Sequence, residues 1–439
     1  MPKKQRNSVD FCSIKYNLDN YPPQADGEKH NNEVIMKGLS LGLKEALRLT
    51  FECVTPLPSE NVALVDSVDR IAASDLHARV DSPSVDASRK DGYAVLSHEL
   101  ADATAQCPVR LRISGSMAAG GENDIRIKPG TAVRVLTGAR IPTGADAVVA
   151  EEFVKQSGDH LLIDTSIKPG KNILPAGEDV TIRKCVLRSG QQISPVMAGL
   201  LAAAGHSRVP VFRTPVVGIV GTGDELVEPG NPLADGQLYA SNIITLAGWC
   251  NKYKMKTRMS IVKDDHEAIF NTLRTVSDET DALITSGGAW TGDYDMVAKV
   301  LEGLGWKEVF HRIRIGPGKA VGFGILEKKP VFILPGGPPS NVMGFLQIAL
   351  PGILALSGHV TPGLPKIHAR LASELGEGKS DWTDFFFGTL EFDDGLPSFH
   401  PMKKRSRLSS IASATAVAAI PEGQDHLPEG AMIHVQLLK

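Results

Sequence analysis

Cysteine is scarce in this chain. Its 439 residues hold five, Cys12, Cys53, Cys107, Cys185 and Cys250, an odd number with no CxxC pair. That excludes a disulfide framework, argues against a structural zinc site and fits reduced thiols in a reducing compartment. A surplus of one charge is also missing. The 47 basic and 50 acidic residues leave a net charge of -3, so no global field draws the chain to nucleic acid or to a membrane, and any anion must be met by a local site. Aromatics make up 5%, and nothing suggests a fibre. The 12 histidines are dispersed without an HExxH pair, which leaves a zinc hydrolase unsupported. No long apolar run exists: the most apolar stretch, Val342 to Leu356, is too short to span a bilayer and contains Gln347 and Pro351, so it predicts a buried helix. The first residues, MPKKQRNSVDFCSIKYNLDN, start basic but show no apolar segment before a small-residue cleavage site; no secretory signal is expected and the cytoplasm is the default.

What the chain does have is 43 glycines and 28 prolines in an otherwise ordinary globular composition, 42% hydrophobic and 22% charged, and a length that implies roughly three domains. Residues 1–37 are polar, with Pro22-Pro23 and Asn31-Asn32, and read as a flexible extension. Residues 38–77 and 171–212 read as a discontinuous N-terminal helical domain. Leu41, Leu43, Ala46, Leu47, Leu49 and Val54 space an amphipathic helix ahead of Pro56, Val62 to Ala73 predicts a second, and Ser194 to Ala204 a third, with Pro195 in its first turn and Gly205 as its stop. Residues 78–170, with short runs at Val109 to Ile113, Ala132 to Leu136, Ala147 to Ala150 and Leu161 to Ile163, predict an inserted β domain. Over 213–360 strand and helix alternate. Strands at Val216 to Val220, Met259 to Val262, Ala282 to Thr285 and Val331 to Leu334 lead to helices near Ser241-Asn242, after Asp264 or Asp265, over Asp295 to Leu304 and from Ser340. That alternation predicts a doubly wound α/β domain with a parallel sheet covered on both faces. Residues 361–439 return to β runs, Ile367 to Leu371, Phe385 to Phe392, Ala416 to Ile420 and Met432 to Leu437, and predict a C-terminal β domain. The fold class is multidomain α/β plus β.

Three glycine-bearing loops follow strands of the α/β segment: Gly221 to Glu225, Ser286 to Asp295 and Pro335 to Ser340. At the carboxyl edge of such a sheet, free backbone N–H groups and helix N-termini converge, which is where open α/β proteins bind ligands. Gly221-Thr222-Gly223 is half of a dinucleotide fingerprint; Leu226 stands where a third glycine is needed, so a nicotinamide site is rejected. Taken singly, each acid has a plain structural reading. Asp224 and Glu225 are solvated loop charges, Asp264 with Glu267 has the spacing of a capping box, and Asp295 is a first-turn helix acid. Taken together, Glu225, Asp264 and Asp295 gather at one edge, more acid than capping requires. A phosphate-bearing ligand there would meet like charge unless a divalent cation lay between, so the three are metal-ligand candidates. Gly316-Pro317-Gly318-Lys319 sets a lysine after a turn, suited to an anion. Gly378-Lys379-Ser380 imitates the end of a phosphate loop, but Ser373 occupies the place of its first glycine. Lys403 to Arg407 is a basic patch, read either as a solvated hairpin or as an attractor of anionic substrate.

Asp91-Gly92-Tyr93-Ala94-Val95, Leu136-Thr137-Gly138-Ala139, Pro142 to Val148 and Gly177-Glu178-Asp179, followed in order by Thr222 to Leu226, Ser286 to Asp295, Pro317-Gly318-Lys319 and Leu334-Pro335-Gly336, resemble the molybdopterin molybdenumtransferases, the family that includes the C-terminal part of gephyrin. The resemblance runs from about residue 38 to the C-terminus, with Ser409 to Gly423 similar to the family's last-domain segment. It implies an L-shaped, four-domain subunit that forms a homodimer, with a cleft between the α/β domain of one subunit and the N-terminal domains of the other. It implies that adenylylated molybdopterin is cleaved at its phosphoanhydride with Mg²⁺ present, that AMP leaves, that molybdate or tungstate enters the dithiolene, and that the chain contacts the molybdopterin adenylyltransferase. Family roles carry over to Asp91, Asp179, Glu225, Asp264 and Asp295 as the acidic set, and to Thr137, Gly223, Ser286, Gly287, Gly288, Lys319, Pro335, Gly336 and Pro338 as substrate-binding positions. The departures lie in that same cleft. Ala87-Ser88-Arg89-Lys90 replaces the usual Asn-Ser-Ala-Met and sets Arg89 and Lys90 beside substrate; Ala289-Trp290-Thr291 replaces Val-Ser-Val; Gly316 and Gly337 stand where lysine and asparagine are usual. Arg89, Lys90 and Arg140 are the cations able to compensate. The alternative to an enzyme is a non-catalytic pterin-binding or cofactor-delivery paralogue, or a scaffold protein of the gephyrin kind.

Overall fold

Runs of β-branched and aliphatic residues too apolar for a half-exposed strand build the centre of one unit. Val216–Thr222 lies between Lys256–Val262 and Ala282–Ser286, and Lys329–Leu334 lies beyond Ala282–Ser286, all parallel. Such strands are buried on both faces, which is why their sequence hardly alternates. On one face the helices Leu43–Cys53 and Ser241–Lys252 and the segment 338–356 complete a core with Ile219, Ile284 and Phe332; on the other, His266–Asp278 and Met296–Gly303 pack on Val220, Leu283 and Ile333. The computed structural model describes residues 36–37, 41–121, 125–287, 296–376, 378–393, 395–403 and 408–439.

The sheet is mixed, where the alternation predicts a purely parallel one. From edge to edge its strands are Met36–Lys37, Lys307–His311, Gly322–Leu326, Lys329–Leu334, Ala282–Ser286, Val216–Thr222 and Lys256–Val262, and Gly322–Leu326 runs antiparallel to both of its neighbours. The hairpin turn is Glu327-Lys328, with φ of 49° and 74°. Positive φ at both central positions is the signature of a primed turn, usually written Asn-Gly, so Glu-Lys gave no local signal. Met36–Lys37, assigned by sequence to the flexible extension, adds a parallel edge strand against Lys307–His311; residues 1–35 lie outside the described residues.

The chain divides into two compact units, Asn61–Val211 and the remainder. Leu43–Cys53 buries Leu43, Ala46, Leu47 and Phe51 against the α/β core. The helix predicted over Val62 to Ala73 does not form. Ser59–Ala63 is a strand, Val65–Ser67 a single 3₁₀ turn, and Ile71 and Ala72 make bridges to Gln192 and Val211. Val62, Val65, Val68 and Ile71 have helical spacing, but their β-branched side chains are stiff at χ1 and suit an extended chain.

Within Asn61–Val211 a six-stranded sheet runs in the order Ala147–Ala150, Gly92–Val95, Thr131–Val135, Val109–Met117, His160–Ile163, Val154–Ser157. Helix Pro195–Ala203 starts as its sequence says, with the Ser194 side chain accepting from the Met197 N–H and Pro195 in the first turn. The C-terminal strands close on themselves. Thr383–Glu391, Ser398–Pro401, Lys366–Leu371, Met432–Leu437 and Ala416–Ile420 pair in sequence around a ring, and Ala416–Ile420 returns to Thr383–Glu391. Phe386, Phe399, Ile433 and Val435 fill this barrel. The apolar stretch before it is a buried helix, Pro338–Gly344 and Leu350–Leu356 joined by a π turn over Phe345–Ala349 that admits Pro351. Gln347, fully buried there, donates to the Gln436 side-chain oxygen at 2.6 Å.

Candidate functional site

The parallel strands end together, and their loops enclose a cavity of about 680 Å³. Thr222, Gly223 and Glu225 come from the end of Val216–Thr222, Asp264 from the end of Lys256–Val262, Ser286 and Gly287 from Ala282–Ser286, and Gly336 and Pro338 from the loop after Lys329–Leu334. Ser241 and Asn242 add the start of helix Ser241–Lys252, and Leu226, Leu238, Tyr239 and Ile243 an apolar side. This is the crevice at the carboxyl ends of strands where open α/β sheets bind ligands.

Asp265, not Asp264, caps helix His266–Asp278, accepting from the Ala268 N–H at 2.8 Å. Asp264 is thereby free to face the cavity. Partial desolvation pushes its carboxyl up from the ordinary range, and the carboxylates of Asp224 and Glu225 add to that. The Asp224 carboxylate in turn accepts from the Asp264 N–H at 3.3 Å. Glu225 folds back over Gly223, where a Cβ would lie 2.5 Å from its Oε2; only a residue with no side chain leaves the carboxylate in that place. Among the described residues no three His, Cys, Asp or Glu side chains group into a ready metal cage. Glu225 and Asp264 are two of the three predicted metal ligands; Asp295, the third, and Gly288 lie outside the described residues.

The floor is held by two asparagines that sequence reasoning did not single out. Asn242 Nδ2 donates to the Gly336 carbonyl at 2.8 Å and to Ser286 Oγ at 3.2 Å. Asn341, fully buried, donates through Nδ2 to the Pro335 carbonyl at 2.9 Å and to Ser286 Oγ at 3.0 Å. They tie three loops to one another. An amide set between Pro-Pro-Ser and a long apolar helix was the available signal, since a buried polar side chain there must serve a loop. Pro335 contributes through its carbonyl. Lys319 is exposed, outside this cavity; its loop packs on helix Pro338–Gly344 through Gly318, whose would-be Cβ lies 3.2 Å from the Gly344 nitrogen.

The remaining predicted positions lie in Asn61–Val211. Asp91 and Thr137 meet directly: Asp91 Oδ1 accepts from the Thr137 N–H at 2.6 Å and from its hydroxyl at 2.8 Å. These two bonds, with the nearby Arg134 charge, hold the Asp91 carboxyl below its usual range. A depressed carboxylate favours the fold above its unfolded value, and that support is lost as pH falls through the folded one. Thr137→Val removes the hydroxyl and keeps the amide, so the Asp91 pKa should rise yet stay below that of a free carboxylate when titrated by NMR; an unchanged value would show the hydroxyl to be idle. Arg89 turns to the Ile173 carbonyl at 3.1 Å and to Glu178 at 3.6 Å. Lys90, Arg140 and Asp179 are exposed. Of the basic run at Lys403 to Arg407, residues 404–407 lie outside the described residues.

Two family models match the chain, the MoeA N-terminal region (domain I and II) over residues 41–205 and a probable molybdopterin binding domain over 218–355. The chain is similar to a molybdopterin molybdenumtransferase of Nostoc sp., 30% identical over 402 residues, 88% of this chain and 92% of that one. A molybdopterin molybdenumtransferase of Haemophilus influenzae is 37% identical over 305 residues, 69% of this chain and 74% of that one. Among solved structures, the molybdopterin biosynthesis MoeA protein of Pyrococcus horikosii superposes with a TM-score of 0.77 at 32% identity, covering 91% of this chain and 99% of that one.

Proposed function

This chain belongs to the molybdopterin molybdenumtransferase family of molybdenum cofactor biosynthesis, and from that premise we propose that it cleaves the phosphoanhydride of adenylylated molybdopterin, releases AMP and inserts molybdate, or the similar dianion tungstate, into the dithiolene. The observation that carries this reading is the meeting of Glu225 and Asp264 with Gly223, Ser286, Gly287 and Gly336 in one cavity. A polyanionic conjugate cannot settle beside two carboxylates of which one is already crowded by like charge unless a cation intervenes. Carboxylate oxygens suit Mg²⁺, which takes one or two protein carboxylates and fills its remaining positions with water and phosphate. Glu225 and Asp264 would hold it, with Asp295 as the third candidate acid, and bound there it would neutralise the phosphoanhydride as a Lewis acid. The chain's own groups do the rest: the loops orient the conjugate, and Asn242 and Asn341 lock Ser286 in place against it.

Asp91 with Thr137, and Asp179, complete the acidic set in this reading, and Arg89 and Lys90 serve the substrate as cations. A homodimer that joins these positions to the α/β cavity, contact with the molybdopterin adenylyltransferase as donor, and a cytoplasmic setting belong to the same proposal; the free thiols of Cys53, Cys107, Cys185 and Cys250 support the last. One feature favours a second reading, a pterin-binding or delivery protein without turnover. Position 316 is glycine where the family usually carries lysine, and the Asp384 carboxylate lies against it, so the loop lacks that lysine's charge. Incubating the full chain with adenylylated molybdopterin, Mg²⁺ and molybdate decides between them. AMP release that stops on chelation of Mg²⁺ is expected; pterin binding with no AMP release would establish the second reading.

A further inference from the structure

Two buried hydroxyls of the cavity find no acceptor for their protons among the described residues. Ser286 Oγ receives an N–H from Asn242 at 3.2 Å and another from Asn341 at 3.0 Å. The direction of both bonds is fixed, because each Nδ2 also donates to a carbonyl, of Gly336 and of Pro335, and carbonyls only accept. Both lone pairs of Ser286 are therefore taken. Its hydroxyl hydrogen finds no acceptor among the described residues, and Ser286 lines the cavity. Thr222 is the second case: 5% exposed, lining the same cavity, with an Oγ1 that has no partner among the described residues. A Cβ on Gly287 would sit 2.8 Å from that oxygen. That is a clash distance, so glycine at position 287 is what leaves the Thr222 hydroxyl in its place.

We propose that the Thr222 and Ser286 hydroxyls form a two-donor subsite for an oxygen of a tetrahedral oxyanion. With its lone pairs spent, Ser286 can donate but cannot ligate a cation, so the pair divides the cavity: Glu225 and Asp264 face positive charge, the hydroxyls face negative charge. An unpaired buried hydroxyl destabilises the free protein, and it is tolerable where a ligand completes it. This inference rests on the cavity being the site of the nucleotide conjugate, and it assigns Thr222 as the phosphate- or metallate-orienting residue there.

The test uses the full chain with Thr222→Val, which matches the shape and removes only the hydroxyl, and Thr222→Ser, which restores it. AMP, inorganic phosphate and molybdate are titrated separately by calorimetry, and the thermal midpoint of the ligand-free protein is measured alongside. Thr222→Val should hold or raise the midpoint while weakening oxyanion binding about tenfold, the loss of one hydrogen bond to a charged group; Thr222→Ser should recover the affinity. Weakening confined to AMP and phosphate assigns the subsite to the phosphoryl group, and weakening confined to molybdate assigns it to the metal oxyanion. A wild type that binds none of the three, or a Thr222→Val variant that binds all as tightly as wild type, overturns the subsite. The catalytic reading fails separately: affinity lost in Thr222→Val, with no AMP released by wild type from the adenylylated pterin, keeps the subsite and rejects the reaction.

Discussion

Gly287→Ala is expected to unfold the cavity floor and end activity. The position has φ of +108°, and a Cβ there would lie 2.6 Å from the Thr222 carbonyl oxygen and 2.8 Å from its hydroxyl. Neither obstacle can move cheaply. The carbonyl belongs to the central strand Val216–Thr222, bonded on both sides, and the Gly287 N–H is itself held by the Leu334 carbonyl at 3.1 Å. Backbone strain and overpacking together should cost roughly 2–5 kcal/mol, read as a lower denaturation midpoint, with AMP release falling below detection. Gly337→Ala is the control. That glycine lies in the neighbouring loop with φ of -68°, and a Cβ there meets nothing within 4 Å, so its stability should stay within about 0.5 kcal/mol of wild type. Should Gly287→Ala match that control in both measurements, the close approach of these two strand ends has no part in shaping the site.

The same loop shows how far the sequence could be read. Strands such as Ala147–Ala150, Ala416–Ile420 and Met432–Leu437 were legible because apolar residues bounded by turn residues have few other solutions. The convergence of Glu225 and Asp264 was legible too, since alternating strands and helices force strand ends to one side. What escaped reading depends on partners distant in sequence. The closed barrel needs Ala416–Ile420 to find Thr383–Glu391 a second time, and no local pattern encodes a ring. Glu327-Lys328 adopts a primed turn against its own preference, held by the ladder on either side. Asp264 and Asp265 are adjacent acids of equal capping propensity, and only the backbone geometry decides which one is spent on the helix. Asn341 reads as a lone polar residue beside an apolar helix until the loops of Ser286 and Pro335 are seen to meet at its amide.

Asp264→Asn is expected to lower AMP release by roughly 10²–10³-fold, the scale on which losing charge stabilisation of the transition state is felt, while leaving the ligand-free fold as stable as wild type or more so. The second half of that statement identifies the role. Desolvation and the neighbouring Asp224 and Glu225 raise the Asp264 carboxyl above its unfolded value. Between the two values the folded chain binds more protons than the unfolded one, so stability falls as pH climbs through that window, and at neutral pH the ionised group opposes folding. Asparagine removes the charge and keeps the shape. The wild-type excess of stability on acidification through this window should vanish in the variant, as read from denaturation midpoints across pH, and so should the stabilisation that added Mg²⁺ gives the wild type. A residue retained only to cap a helix would behave in the opposite way: its loss would weaken the fold at neutral pH and leave the Mg²⁺ response intact. Asp265→Ala supplies that contrast, because Asp265 holds the cap, and its removal should cost about 1 kcal/mol with AMP release per folded molecule unchanged. If Asp264→Asn instead resembles Asp265→Ala, the acid pair is scaffolding and the cation must bind elsewhere.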